Sequence, residues 1–245
     1  MQVVILAGGL GTRLSEETSL IPKPMVRIGG VPILIHIMQI FHSFGHTDFI
    51  ISAGYKADHI RRYFMDKQRI IDSLGWNLAV VDTGLQTGTL GRISKLKNVL
   101  EKTFWVTYGD GLATVNLDDI LKFHVGKRSI ATLTAVRPPA RFGSLEISDG
   151  IVTSFREKNP QDVGWINGGF MLMPKSAFSA LEDEKASLEG TLLTNLSNSG
   201  LLSAFQHKGW WHPMDTLRDK NELEELFKKQ PELWMREYEV LRRFC

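Results

Sequence analysis

Residues 3–14 read Val3-Val4-Ile5-Leu6-Ala7-Gly8-Gly9-Leu10-Gly11-Thr12-Arg13-Leu14, and ten residues beyond Arg13 stands Lys23, in Pro22-Lys23-Pro24-Met25. A continuous apolar run rich in β-branched residues predicts a strand buried on both faces of a parallel sheet. The glycines behind it let the chain turn sharply and bring its backbone close to a ligand. Backbone N–H groups of such a turn, with the N-terminus of a following helix, point at anions, and Arg13 and Lys23 add full positive charge. The stretch therefore predicts a phosphate cradle, although glycines alone equally mark an ordinary turn behind a core strand. It is not the dinucleotide fingerprint, because Leu14 holds the third glycine position, and it lacks the Gly-Lys-Ser/Thr of a Walker A loop.

Outward from this stretch the chain alternates strand and helix. Gly29-Gly30 makes a turn, and a helix beginning at Pro32 carries an apolar stripe of Ile33, Leu34, Ile37, Met38, Ile40, Phe41 and Phe44, with His36 as a packing or surface residue. Gly45 ends it. Asp48–Ala53 predicts a strand, Tyr55–Met65 a helix with a basic outer face at Arg61 and Arg62, and Asn77–Asp82 another strand. A polar loop over Thr83–Leu90 and a short helix over Ile93–Leu100 precede the strand Thr103–Tyr108, which stops at Gly109-Asp110-Gly111. Ligands dock at the carboxyl ends of strands in open parallel sheets, which makes Asp110 a candidate metal ligand.

A helix over Leu117–Gly126 and a strand over Ile130–Val136 complete this half. Beyond Pro138-Pro139 a hairpin with an Asp149-Gly150 turn joins Leu145–Ile147 to Ile151–Phe155. Asn167-Gly168-Gly169 implies close backbone approach to something. Ser176–Leu181 and Leu188–Ser197 read as helical, Leu201–Gln206 as a strand, and Thr216 to about Lys229 as a charged helix. Pro231–Cys245 reads as a terminal helix whose Leu233, Trp234, Tyr238 and Leu241 pack on the domain or on a second subunit.

At 245 residues, 43% hydrophobic and 23% charged, the chain suits one soluble α/β domain, and a formal charge of +2 offers no general affinity for nucleic acid or membrane surfaces. Its single cysteine, Cys245, permits neither an intramolecular disulfide nor a cysteine-rich metal site. The first apolar run is too short for a signal-peptide core, and no stretch reaches membrane-spanning length, so a cytoplasmic location is expected. No serine-hydrolase elbow, His-Glu-x-x-His or Cys/His ligand spacing is present.

The string Ala7–Thr18, with Gly-x-Gly-Thr-Arg followed by Pro-Lys-Pro, resembles the sugar nucleotidyltransferase family, and within it the glucose-1-phosphate cytidylyltransferase group. The resemblance continues in order through Tyr108-Gly109-Asp110-Gly111, Pro138-Pro139-Ala140-Arg141-Phe142-Gly143, Phe155-Arg156-Glu157-Lys158, Ile166-Asn167-Gly168-Gly169-Phe170 and Met214-Asp215-Thr216-Leu217-Arg218-Asp219-Lys220. It implies a Rossmann-like nucleotidyltransferase fold in one domain over residues 1–245: a mostly parallel mixed sheet flanked by helices. Residues 1–136 would mainly bind nucleotide, 137–215 would form a small antiparallel part for the sugar phosphate, and 216–245 would be C-terminal helices.

The implied reaction joins CTP to glucose 1-phosphate, giving CDP-glucose and pyrophosphate, with Mg²⁺ as cofactor and a homo-oligomer as the assembly. The resemblance implies nucleotide binding by Leu6, Ala7, Gly8, Gly9, Gly11, Thr12, Arg13, Lys23, Thr89, Arg92, Tyr108 and Asp110. It further implies catalysis by Arg13, Lys23, Asp110 and Asp215, Mg²⁺ held by Asp110 and Asp215, and sugar-phosphate binding by Glu157, Lys158, Asn167, Gly168 and Asp215. Plainer readings exist for several: Asp110 as a turn cap, Glu157 and Lys158 as a solvated hairpin end, Asp215 as cap of the helix at Thr216. The chain departs from the group's pattern at Ile21, in place of a second lysine; at Leu90, in place of a glycine; and in a shortened segment between Met65 and Trp76. These keep open a relative that uses UTP or dTTP or another acceptor. A sensor of sugar nucleotides without turnover is a further alternative, and a metal-dependent glycosyltransferase is disfavoured because Leu112 stands where its second acid would be.

Overall fold

Every residue of β1 (Val3–Ala7) is buried, as a continuous apolar run must be if the sheet is covered on both faces. The computed structural model describes residues 1–140, 142–159, 164–178, 183–233 and 238–244. From β1 the chain passes through the single turn α1 (Ser15–Thr18) and the short strands β2 (Arg27–Ile28) and β3 (Val31–Pro32) into α2 (Ile33–His42). Then follow β4 (Asp48–Ala53), α3 (Ala57–Asp66), α4 (Gln68–Ser73), β5 (Asn77–Asp82), α5 (Thr89–Lys95) and β6 (Thr103–Tyr108). Next are β7 (Gly111–Ala113), α6 (Leu117–Val125), β8 (Ala131–Val136), the hairpin β9 (Ser144–Ser148) and β10 (Ile151–Arg156), β11 (Ile166–Asn167) and β12 (Met171–Pro174). The chain closes with α7 (Thr194–Asn198), β13 (Leu202–Gln206), β14 (Trp211–Pro213), α8 (Leu217–Lys229) and α9 (Tyr238–Phe244).

The main sheet has the order β11-β8-β12-β6-β1-β4-β5, with β13 alongside β8. β5, β4, β1 and β6 are mutually parallel, β8 and β13 run with them, and only β11 and β12 run against the rest. The architecture is the expected mostly parallel α/β sheet flanked by helices. β12 enters it between β6 and β8, because its apolar run Met171-Leu172-Met173 is wholly buried and needs cover on both faces.

Apolar side chains pack in two clusters. One gathers Val3, Ile5, Phe41, Phe49 and Trp105 with α2, α3 and α9; the other gathers Val4, Val106, Phe104, Leu90 and Leu188 with α5 and the 188–196 segment. α9 belongs to the first: Phe244 stacks on Trp76 at 5.6 Å and 22°, so this part of the terminal segment packs on the domain itself. Trp234 and Cys245 lie outside the described residues.

Among the described residues, helix bounds depart from the sequence reading at several points, the terminal helix over Tyr238–Phe244 and the added α4 included. α5 begins at Thr89 rather than Ile93, because Leu90 is fully buried and the Gly88 N–H donates to the Glu184 carbonyl at 2.8 Å, tertiary support that no local signal announces. α3 begins at Ala57, since Lys56 is left-handed at φ 52. Lys175–Phe178 is a 3₁₀ turn, and the remainder of the helix expected to Leu181 falls outside the described residues. The β9–β10 hairpin turns at Asp149-Gly150, both left-handed as such a turn requires. Among the described residues its strands pair only with each other, and Leu145, Ile147, Val152 and Phe155 are exposed.

Candidate active site

Leu6 of β1 lies opposite Tyr108 of the parallel β6, so the glycine loop and Gly109-Asp110 leave the sheet side by side. They open a cleft of about 470 Å³ walled by the 6–13 segment, Lys23-Pro24, the 85–89 loop, Arg92, Tyr108–Asp110 and Asp215. All twelve residues that the resemblance named for the nucleotide line this cleft. Gly11 turns the loop at φ 66, where a side chain is disfavoured, and a Cβ there would meet the Thr18 methyl at 2.9 Å. The helical continuation is only a 3₁₀ turn over Thr12–Leu14 and one α turn, too short for a strong dipole. Positive charge must come mainly from Arg13 and Lys23.

Lys23 holds the floor. Its Nζ donates to Asp110 Oδ2 at 2.6 Å and to Asp215 Oδ1 at 2.7 Å, while Arg13 Nη1 reaches Asp215 Oδ2 at 3.1 Å. Burial pulls the Lys23 pKa down, but its two carboxylate partners outweigh burial and hold the ammonium above its ordinary value. Asp215 arrives from far along the chain because β14 pairs with β7, Pro213 opposite Gly111, and the Met214 N–H donates to the Asp110 carbonyl at 2.8 Å. The helix behind Asp215 is capped by Thr216, in a capping box with Asp219. Asp219 Oδ2 also accepts the Asp215 N–H at 3.1 Å, so the Asp215 carboxylate faces the cleft instead of serving as the cap.

Arg92 sits under the loop with its side chain buried. It donates to the carbonyls of Ala53 at 3.0 Å and Gly8 at 2.9 Å and to Thr83 Oγ1 at 2.7 Å. Burial lowers its pKa against a small opposing pull from Asp82. Its planar fork thus holds the glycine loop against β4, a task the single ammonium of lysine performs poorly. Two of the three departures from the group's pattern turn inward as well: Leu90 is fully buried, and half-buried Ile21 packs against the core.

Tyr108, at the end of β6, donates through its hydroxyl to Glu189 Oε1 at 2.5 Å and accepts from Asn167 Nδ2 at 2.9 Å. Burial first, then the Glu189 charge, pushes its pKa well above the ordinary phenol value. Gly168 approaches the fold itself: a Cβ there would lie 2.6 Å from Val136 Cγ1, and its carbonyl accepts from Trp211 Nε1 at 3.0 Å. Glu157 and Lys158 are not brought to the cleft. They pair with each other at 3.4 Å at the exposed end of the hairpin, their side chains 59% and 55% accessible. Glu189, on a π-helical stretch over Leu188–Leu193, was missed by sequence reasoning; no motif or spacing marks it.

His212, Asp219 and Glu222 also converge behind Asp215, each offering an atom within 4.8 Å of the others. Their bonds serve the α8 cap and a His212–Glu222 contact at 3.2 Å. Among the described residues, no helix is long and apolar enough to cross a membrane.

Residues 2–219 match the family model described as Nucleotidyl transferase. The chain is 42% identical to a Salmonella typhi protein named glucose-1-phosphate cytidylyltransferase, over 96% of this chain and 98% of that one. The fold is similar to that of HddC from Yersinia pseudotuberculosis, with a TM-score of 0.74 and 30% identity over 92% of this chain and 99% of that one. It is also similar to that of the inositol-1-phosphate CTP transferase from T. maritima, with a TM-score of 0.68 and 18% identity over 94% and 96% of the two chains.

Proposed function

We propose that this chain, which belongs to the nucleotidyl transferase family, transfers the cytidylyl group of CTP to glucose 1-phosphate, giving CDP-glucose and pyrophosphate. That it is a nucleotidyltransferase enzyme follows from the family; the base and the acceptor are the reading. Its support is the 42% identity to a glucose-1-phosphate cytidylyltransferase over nearly the whole of both chains and the inward packing of Leu90 and Ile21, which leaves the cleft wall undisturbed.

The single observation that carries the chemistry is the Lys23 clamp at the carboxyl edge of β1 and β6. A phosphate monoester, with a second pKa of about 6, is already a dianion at neutral pH and needs no protein base to attack. Two polyanions must instead be brought together, so the barrier is lowered by positioning and by cations. In this reading the backbone of Gly9–Thr12 and the Arg13 guanidinium hold the triphosphate, and Lys23 puts its charge on the phosphate at the reacting centre. Asn167 and Gly168 lie on the sugar-phosphate side, whereas Glu157 and Lys158, which the resemblance also implied there, stand on the hairpin outside the cleft.

Asp110 and Asp215 each aim one oxygen at a common point, 2.6 and 2.7 Å from the Lys23 Nζ. Two carboxylates converging in this way suit a hard divalent cation. They would hold Mg²⁺, which when bound supplies charge neutralisation on the phosphate oxygens. Asp110→Asn and Asp215→Asn are expected to abolish Mg²⁺-dependent turnover with little loss of melting temperature; retained turnover would refute the role.

The test is pyrophosphate release with Mg²⁺, glucose 1-phosphate and CTP, UTP, dTTP, ATP or GTP separately. Release with CTP is the expected result. Release only with another triphosphate moves the base specificity, and tight CTP binding without release with any sugar 1-phosphate identifies a sensor. Self-association belongs to the same reading and is measured by light scattering.

A further inference from the structure

The π-helical stretch Leu188–Leu193, started by the Ser187 hydroxyl accepting the Gly190 N–H at 2.8 Å, places Glu189 between α5 and the end of β6. π-Helical turns are rare and concentrate at functional sites. Both carboxylate oxygens of Glu189 are engaged: Oε2 accepts from Thr89 Oγ1 at 3.0 Å and Oε1 from the Tyr108 hydroxyl at 2.5 Å. An ionised carboxylate only accepts, so the direction of every bond beyond it is determined. The Tyr108 hydroxyl gives its one proton to Glu189 and presents a lone pair to Asn167 Nδ2 at 2.9 Å. The Asn167 Oδ1 in turn accepts the Gly169 N–H at 3.0 Å, which settles the orientation of that amide. Thr89, likewise committed as a donor, accepts the Leu188 N–H at 2.7 Å.

The chain of bonds joins two regions. Thr89 and Tyr108 line the cleft, whereas Asn167 and Glu189 border a neighbouring pocket of about 300 Å³ with Thr194, Ser197 and Asn198. We propose that Glu189 is a positioning residue that, by holding the Tyr108 hydroxyl, fixes the place of the Asn167 side chain that rests on it at the acceptor side of the cleft. The inference rests on the reading of the site as a sugar-phosphate nucleotidyltransferase. The glycine loop, Arg13 and Lys23, which hold the triphosphate in that reading, make no hydrogen bond to Glu189, whereas Thr89 and Tyr108 on the cleft wall do.

Glu189→Ala leaves the Tyr108 and Thr89 hydroxyls without their acceptor and loosens the Tyr108 hydroxyl on which Asn167 Nδ2 rests, while the Gly169 N–H still holds Oδ1. The expected effect is a rise of about tenfold in KM for glucose 1-phosphate, clearly larger than the rise in KM for CTP, with only a small fall in melting temperature. Glu189→Gln, which keeps an acceptor oxygen for Tyr108, is expected to recover most of the acceptor KM. Equal rises in both KM values with a fall in melting temperature would make Glu189 a brace of the fold. No change in either, or a Gln variant as impaired as the Ala variant, would also overturn the proposal.

Calorimetric binding of glucose 1-phosphate to the wild type and Glu189→Ala reads the same effect without turnover. Weaker binding by the variant in a protein that releases no pyrophosphate with CTP sustains this inference and sinks the cytidylyl reading. Full CTP turnover that ignores the substitution does the reverse. A wild-type protein that binds no glucose 1-phosphate overturns both.

Discussion

Lys23 is a cation seated between two carboxylates and shielded from solvent, its side chain only 12% accessible. A divalent metal brought to the same oxygens must displace the ammonium, so in the ligand-free protein lysine and metal compete. Lys23→Met is therefore expected to tighten Mn²⁺ binding to the nucleotide-free protein by at least about tenfold, or 1.4 kcal/mol, a small part of the attraction between unit charges at this spacing. Paramagnetic resonance of free Mn²⁺ measures it, and turnover should fall in the same variant. Unchanged Mn²⁺ affinity would mean that Asp110 and Asp215 hold no metal at this point. Arg92 shows the complementary use of a cation: its donors go to the walls, and its service to the cleft is the shape of the loop.

At the scale of elements, α8 and α2 each carry one polar device. Thr216 and Asp219 cap α8 reciprocally while Asp219 also holds the Asp215 N–H. Thr216→Ala is expected to cost about 1 kcal/mol of stability, read as a lower denaturant midpoint. On α2, His36 is buried, its Nε2 2.9 Å from the Ile28 carbonyl and its ring edge-on to Phe227 of α8 at 5.9 Å. Burial lowers its pKa from 6.5 to about 4, against the backbone bonds to Ile28 and Val31 that favour the charged form. Between these values the unfolded chain binds the proton and the folded chain does not. The contribution to stability is therefore complete above pH 6.5 and is lost as pH falls toward 4, by on the order of 3 kcal/mol. Urea midpoints at pH 7.5 and 4.5 should differ accordingly. His36→Gln should flatten part of that difference; His46, lowered to about 4 mainly by burial, and His59, His124 and His207, also lowered by burial, contribute to what remains.

For the molecule as a whole, α9 can be weakened apart from the site, because none of its residues lines the cleft. Phe244 is 4% exposed and stacks on Trp76, in the cluster below the Phe49 side of the sheet. Phe244→Ala should cost about 3 kcal/mol or more while leaving kcat and both KM values unchanged at temperatures where the protein is folded. A parallel change in KM would show that α9 supports the cleft after all.

The residues lining the cleft were named through the family resemblance, whereas the strands β1, β4, β5 and β6, the Asp-Gly hairpin turn and the Thr216 start of α8 were legible in the local sequence. These depend on local properties, namely burial periodicity, left-handed turn residues and capping chemistry, all of which a short window of residues carries. Long-range packing, by contrast, sets β12 between β6 and β8, starts α5 at Thr89 and brings Asp215 to Asp110 through β14. It also decided that Arg92 faces backbone carbonyls, that Glu157 and Lys158 stand on a hairpin away from the cleft, and that Glu189 bridges Thr89 and Tyr108. Each of these depends on which distant segments become neighbours. A local window records how strongly a residue seeks burial or a hydrogen-bond partner, but the partner is selected by packing the whole sheet.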